Sequence, residues 1–235
     1  KVAAEFPDTK FSIIDVSWLD APNLRQYAFK EHEGSYIVGV AAAKASKTGK
    51  VGFVGGMDIG LIRRFGCGYV GGVKSVNANA EVYQNMTGTT PSAWNDPAKG
   101  AELTQSQIDR GADVVYHAAG GTGAGVIQAA ADAGKLAIGV DSNQNGMAPG
   151  SVLTSMLKRV DVAAYETFMD VKNGNFSAGV HVLGLAEGGV DWALDENNAS
   201  LVTDDMKAAI ESARADIISG KVKVHDYFSD ESCPY

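Results

Sequence analysis

Apolar and polar positions along the chain follow two alternating rhythms. Short, nearly continuous apolar runs read as strands: "VGFVGG" (51–56), "AEVYQNM" (80–86), 113–118 and "LAIGVD" (136–141). Runs without polar alternation suit strands covered on both faces, as in a parallel sheet. Between them lie stretches with helical spacing, at 33–46, 61–76, 96–111 and 123–133. The third is the best marked, with Asp96 as N-cap, Pro97 at its first position and Gly111 at its end. Outside this block, 10–17, 27–31, 152–157 and 179–185 read as strands, and 161–174 and 204–220 as helices.

Strands alternating with helices of this length imply right-handed βαβ units and parallel sheets. From about residue 50 to 141 the pattern predicts four strands and three helices, enough for a lobe of its own. The elements before 32 and after 150 give no obvious second sheet. The expectation is a two-lobed α/β protein whose first lobe is incomplete in this chain. Residues 1–32 would be a remnant of lobe 1 and its crossover, and 33–141 lobe 2. Residues 142–178 would return to lobe 1, and 179–235 form a strand, helix and tail of open assignment.

Composition narrows the function. The 235 residues carry a formal charge of -8, with 20 basic and 28 acidic side chains. The basic residues are scattered, which argues against a nucleic-acid backbone or an anionic membrane as partner. No apolar run approaches the roughly 20 residues that span a bilayer. The chain opens Lys-Val-Ala-Ala, without Met, so either a leader has been removed or the true N-terminus lies upstream. Cys67 and Cys233 are the two cysteines. Two reduced thiols and one long-range disulfide both fit; the position of Cys233 in the tail favours the disulfide.

The stretch "YHAAGGTGAG" (116–125) puts four glycines in six residues after a strand, and Asp141 follows twenty residues beyond Gly121. That is the outline of a dinucleotide site. It fails in detail. A P-loop built on Gly120 and Gly125 would need Lys next, and Val126 stands there. The G-x-G-x-x-G spacing from Gly121 also ends on Val126. No cofactor is expected. The four histidines are dispersed, the cysteines lack zinc spacing and no G-x-S-x-G elbow is present, so neither a metal nor a catalytic set is expected. What remains is either a tight turn with nothing bound, or a strand end where bare backbone meets a ligand at the carboxyl edge of a sheet. Similar strand ends recur at 53–60, 86–90 and 140–145.

"VGFVGGMDIGLIRRFGCGYVGGVKSVN", "DVVYHAAGGTGAGV", "AIGVDSNQN" and "PGSVLTSMLKRVDVA", in this order, resemble the basic membrane protein family, the substrate-binding proteins of ABC importers with purine-nucleoside-binding members. The resemblance implies a periplasmic-binding-protein type I fold: two Rossmann-like lobes joined by crossover strands and closing on ligand between them. It implies earlier βα units, which this chain does not show. It also implies a periplasmic or lipid-anchored location, a purine nucleoside as ligand and an ABC permease as partner. No catalysis is implied, and a monomer is expected.

On this resemblance Asp141 would accept from the ribose diol, since an ionised carboxylate can take two adjacent hydroxyls. Capping the following turn is its alternative. Lys158 would donate to a ribose oxygen and balance Asp141; a surface lysine is the alternative. Gly121 and Thr122 would offer backbone and hydroxyl contacts. Tyr116 or His117 would lie beside the base, one only, because alternation sends them to opposite faces. Met57 would flank the base or fill the core. Asp15 is a candidate for the base edge, and Trp18 for stacking or anchoring a loop. A free purine base is the competing ligand. A nucleotide-dependent oxidoreductase, a nucleoside-cleaving hydrolase and a ligand sensor are the competing roles.

Overall fold

The structure, a computed structural model, describes residues 1–235. Nine strands run in chain order: β1 (Phe11–Ile14), β2 (Leu24–Phe29), β3 (Lys50–Met57), β4 (Glu81–Gly88), β5 (Val114–Ala118), β6 (Leu136–Asp141), β7 (Val152–Lys158), β8 (Gly179–Leu183) and β9 (Val190–Trp192). The α-helices are α1 (Val2–Glu5), α2 (Glu31–Ala45), α3 (Gly60–Val76), α4 (Pro97–Asp109), α5 (Gly123–Asp132), α6 (Val160–Asn173) and α7 (Asp204–Ile218). Local chemistry sets several boundaries. The Asp96 carboxylate accepts from the Lys99 N–H at 2.9 Å and caps α4, with Pro97 next. Gly174 ends α6 in the left-handed conformation, φ 74°, as a helix stop requires.

The strands form two sheets. The larger has the order β4-β3-β5-β6-β7-β9 and is parallel except for β9, which pairs antiparallel with β7 at one edge. The smaller is β1-β2-β8, all parallel. This corrects the sequence expectation in two places and assigns the tail, which the sequence left open. The larger sheet has six strands rather than four. Residues 152–158 stay in it, with Asp141 opposite Leu157, so the return to the smaller sheet begins only at α6. There Arg25 reaches Asp170 at 2.7 Å and Tyr27 bonds Thr167 at 3.1 Å. The tail is shared out: β8 joins the smaller sheet, while β9 and α7 belong with the larger. An apolar run marks burial but carries no mark of which sheet it pairs with.

A buried cluster binds the two parts. It runs from Tyr27 and Phe29 of β2 through Tyr36 and Ile37 of α2 to Phe53, Tyr116, Ile138 and Met156. Each such side chain contributes roughly 1.5–3 kcal/mol on burial. The chain passes between the sheets three times, at the β2–α2 junction, the β7–α6 junction and the β8–β9 turn. The passages lie side by side: the Lys30 N–H donates to the Leu183 carbonyl at 3.0 Å and the Arg159 N–H to that of Gly189 at 2.8 Å. Cys67 of α3 and Cys233 of the tail form a disulfide, Cα atoms 5.6 Å apart across 166 residues of sequence.

Candidate functional site

The carboxyl ends of the strands bring three charged groups together. Asp15 follows β1 in the smaller sheet; Asp141 and Lys158 end neighbouring strands β6 and β7 in the larger. The two aspartates share an uncommon backbone, with φ of 62° and 65°. Short polar residues tolerate this left-handed region better than others, and it turns the chain sharply at a strand end. Lys158 Nζ lies 2.6 Å from Asp15 Oδ1, an ion pair that spans the two sheets. It is also 3.1 Å from Oε1 of Glu31, the first residue of α2. The Phe29 ring is 5.2 Å away.

Burial alone would depress the Lys158 pKa, but Glu31, Asp15 and Asp141 together raise it above the ordinary lysine value, so the amine stays charged. Asp141 is pushed the other way from a usual aspartate. Its carboxylate touches solvent, yet the crowding walls of the cleft raise its pKa; Lys158 opposes this and Asp15 reinforces it. The Asp141 carboxylate accepts no hydrogen bond from any part of the chain. The turn after it is closed without its help, by the Ser142 N–H on the Val140 carbonyl and by Gln144 Oε1 on the Val140 N–H, both 2.8 Å. The capping role is therefore excluded, and the group is left as a free acceptor.

The glycine-rich stretch is different. Tyr116 and His117 are both fully buried, on opposite faces of β5. Tyr116 bonds Ser35 at 3.2 Å and packs on Phe53 and Tyr69. His117 Nε2 meets Gln144 Oε1 at 2.9 Å, and burial lowers its pKa to about 4. Neither reaches the cleft, which corrects their placement beside a base. Thr122 is buried too: its hydroxyl donates to the Ala93 carbonyl at 2.8 Å and accepts from the Asp96 N–H at 2.7 Å, so it is spent on tying two loops together. The glycines serve packing. Gly123 leaves room for the His117 ring, Gly125 lets α5 approach the Pro97 carbonyl, and Gly120, at φ 56°, runs under the Trp94 ring. Gly121 keeps an exposed backbone.

Met57 is partly exposed at the carboxyl end of β3, on the same sheet edge as Asp141 and Lys158. Trp18 projects from the loop after Asp15 and is 75% exposed. Three residues not anticipated from sequence complete the charged network. Glu31 is 1% exposed, held between Lys158 and Arg64. Arg64 of α3 forks onto both oxygens of Asp226 in the tail, at 2.8 and 2.6 Å. Burial raises the Glu31 pKa against the pull of its two cations, whereas the Arg64 fork overcomes desolvation and lowers that of Asp226. The sequence reads Glu31 as the end of a strand, whereas it opens α2, and it reads Arg64 as an ordinary helix residue; nothing in either stretch announces the pairing.

Comparison with known proteins accords with this architecture. Residues 1–227 match the family model Bmp, described as ABC transporter substrate-binding protein PnrA-like. The chain is 37% identical over 236 residues to the ABC transporter nucleoside-binding protein BmpA of Lactococcus lactis, covering 93% of this chain and 65% of that protein. It is 34% identical over 241 residues to the CD4+ T-cell-stimulating antigen of Listeria innocua, covering 95% and 66%. The chain thus spans about two thirds of the length of these relatives. A solute-binding protein of an Aeropyrum pernix ABC transporter system superposes with a TM-score of 0.83 at 29% identity, over 94% of this chain and 72% of that one. By a family match that runs through both sheets and the charged cleft between them, the chain belongs to the Bmp family of PnrA-like substrate-binding proteins.

Proposed function

We propose that the protein is the extracytoplasmic solute-binding component of an ABC importer and that it holds a purine nucleoside between its two sheets, without covalent chemistry. The observation that carries this reading is the unclaimed Asp141 carboxylate beside the charged Lys158, with Asp15 facing them from the other sheet. An ionised carboxylate with both oxygens free matches a vicinal diol. Lys158 donates to the sugar, Asp15 accepts from the base edge, and Met57 supplies a soft apolar wall. The exposed Gly121 backbone lies on the same edge.

Charge favours a nucleoside over its phosphates. Three carboxylates, Asp15, Glu31 and Asp141, act on the one lysine ammonium, so an anionic ligand would enter an acid-rich site. A protonated, ion-paired lysine is also no nucleophile, which supports binding rather than turnover. The name of the Lactococcus relative supports a nucleoside as ligand class. A permease partner, a periplasmic or lipid-anchored location and a monomeric state belong to the same proposal.

The test is calorimetry on the protein as its host makes it, with adenosine, inosine, guanosine, adenine, ribose and AMP. Nucleosides should bind tightest, AMP weakest, and no free base should be released on incubation. Equal affinity for adenine and adenosine would remove the diol assignment and leave the free base as ligand. Release of base would overturn the non-catalytic reading.

A further inference from the structure

We propose that Glu31 is a positioning residue for Lys158, and that the C-terminal tail completes the positioning through Asp226 and Arg64. The ligand-facing role of Lys158 rests on the function proposed above; the relay itself rests on geometry alone.

A lysine ammonium on a four-carbon stem is a mobile point charge with three donors. Near three carboxylates it has several places to go. Glu31 gives it a fixed one. Its two oxygens take one cation each, Lys158 at 3.1 Å and Arg64 at 2.8 Å, and it is 1% exposed. Glu31, Lys158 and Arg64 stand on elements that pack with the larger sheet, whereas Asp15 belongs to the smaller one. The Glu31 bond therefore survives movement between the sheets, and the Asp15 bond is the exchangeable one. With two donors so occupied, one ammonium hydrogen remains for a ligand oxygen.

Arg64 holds Glu31 in turn. Its guanidinium donates to the Phe29 carbonyl as well as to Glu31, and its far side forks onto Asp226. The Phe228 ring lies 4.9 Å from it. The tail that brings Asp226 and Phe228 is fastened by Cys233 to Cys67, one turn along α3 from Arg64. The Tyr235 hydroxyl accepts from the His225 N–H at 3.0 Å, folding the tail end back on itself. His32, beside Arg64, has its pKa lowered to about 4 by burial and adds no charge at neutral pH. A disulfide-fastened tail thus reaches the cleft lysine through an unbroken run of charge pairs, half-buried at Asp226 and buried at Arg64, Glu31 and Lys158.

The test is a double-mutant cycle on adenosine affinity. Glu31→Gln should weaken binding roughly 10-fold or more and Asp226→Asn several-fold. In a Lys158→Met background both should cost less than about 2-fold, because the group they position is gone. Undiminished losses in that background would mean a merely structural role and overturn the relay. Should Glu31→Gln not fold, Asp226→Asn, which touches only the outer end of the run, carries the cycle by itself. Lys158 Nζ is followed by NMR without ligand: its titration should move to lower pH in either variant. No movement overturns the relay even if adenosine does not bind; movement without adenosine binding upholds the relay and refutes the nucleoside reading.

Discussion

Two neighbouring strand ends on one sheet edge make opposite uses of polar chemistry. The stretch after β5 looks the more functional, with its glycines, a histidine and a threonine. Every one of its side-chain groups but one is consumed inside the fold: Thr122 ties two loops, and His117 binds Gln144 and leaves only Nδ1 unpaired. The end of β6 looks plain, yet Asp141 holds an unusual backbone and a carboxylate that nothing in the chain satisfies. Backbone strain with an unspent acceptor points to a ligand; glycine density beside satisfied groups points to packing.

Four measurements test this contrast. The largest effect is expected at Asp141. On the proposed reading, replacing it with Ala would remove two charge-assisted hydrogen bonds to the diol, so nucleoside affinity should fall roughly 100-fold, or about 3 kcal/mol, by calorimetry. A change under threefold would remove Asp141 from the site.

Next comes acid. His117 is buried and neutral, with a folded pKa of about 4. The unfolded chain takes up that proton near pH 6.5, so the contribution of His117 to stability is full above pH 6.5 and is lost as pH falls toward 4. The loss should reach about 3 kcal/mol. Urea midpoints at pH 7 and pH 4.5 should therefore separate more in the native protein than in His117→Gln, and equal separations would refute the assignment.

Third, Thr122→Val should cost about 2 kcal/mol in denaturant unfolding, because it strands the Asp96 N–H and removes a donor from the Ala93 carbonyl. Nucleoside affinity should not change; a tenfold loss would return Thr122 to the ligand. The smallest effect has the opposite sign. The Asp141 carboxylate is held above its normal pKa, so its charge costs stability at neutral pH. Asp141→Asn should raise the melting point slightly, matching a stability gain of roughly 0.5 kcal/mol or less once solvent screening is counted, while binding weakens. A lower melting point would show that the carboxylate stabilises the fold.

The alternation of strand and helix was legible because burial on both faces leaves a continuous apolar run, as in 136–141. The cap at Asp96 was legible because it is local, reaching only to Lys99. Sheet membership was not: nothing in "VLTSML" says whether it pairs with β6 or with the smaller sheet, since that depends on partners far along the chain. The candidate residues divide in the same way. Asp141 and Lys158 stood out at strand ends within family-like motifs. Glu31, Arg64 and Asp226 did not, because their pairing closes across 33 and 162 residues of chain and leaves no local spacing to detect. Tyr116, His117 and Thr122 were misplaced because a polar residue at a strand end reads alike whether it faces a cleft or a neighbouring loop.

The three adjacent passages of chain between the sheets have a mechanical consequence. Links set in a row resist twisting and sliding but yield to bending, so any movement of one sheet against the other would be a rotation about the line of the links. Lys158 and Glu31 stand at that line. Points on the pivot barely travel while the distant rims swing through the whole arc. A ligand would be gripped first where the protein is stillest, and the far lips would then descend on a guest already held.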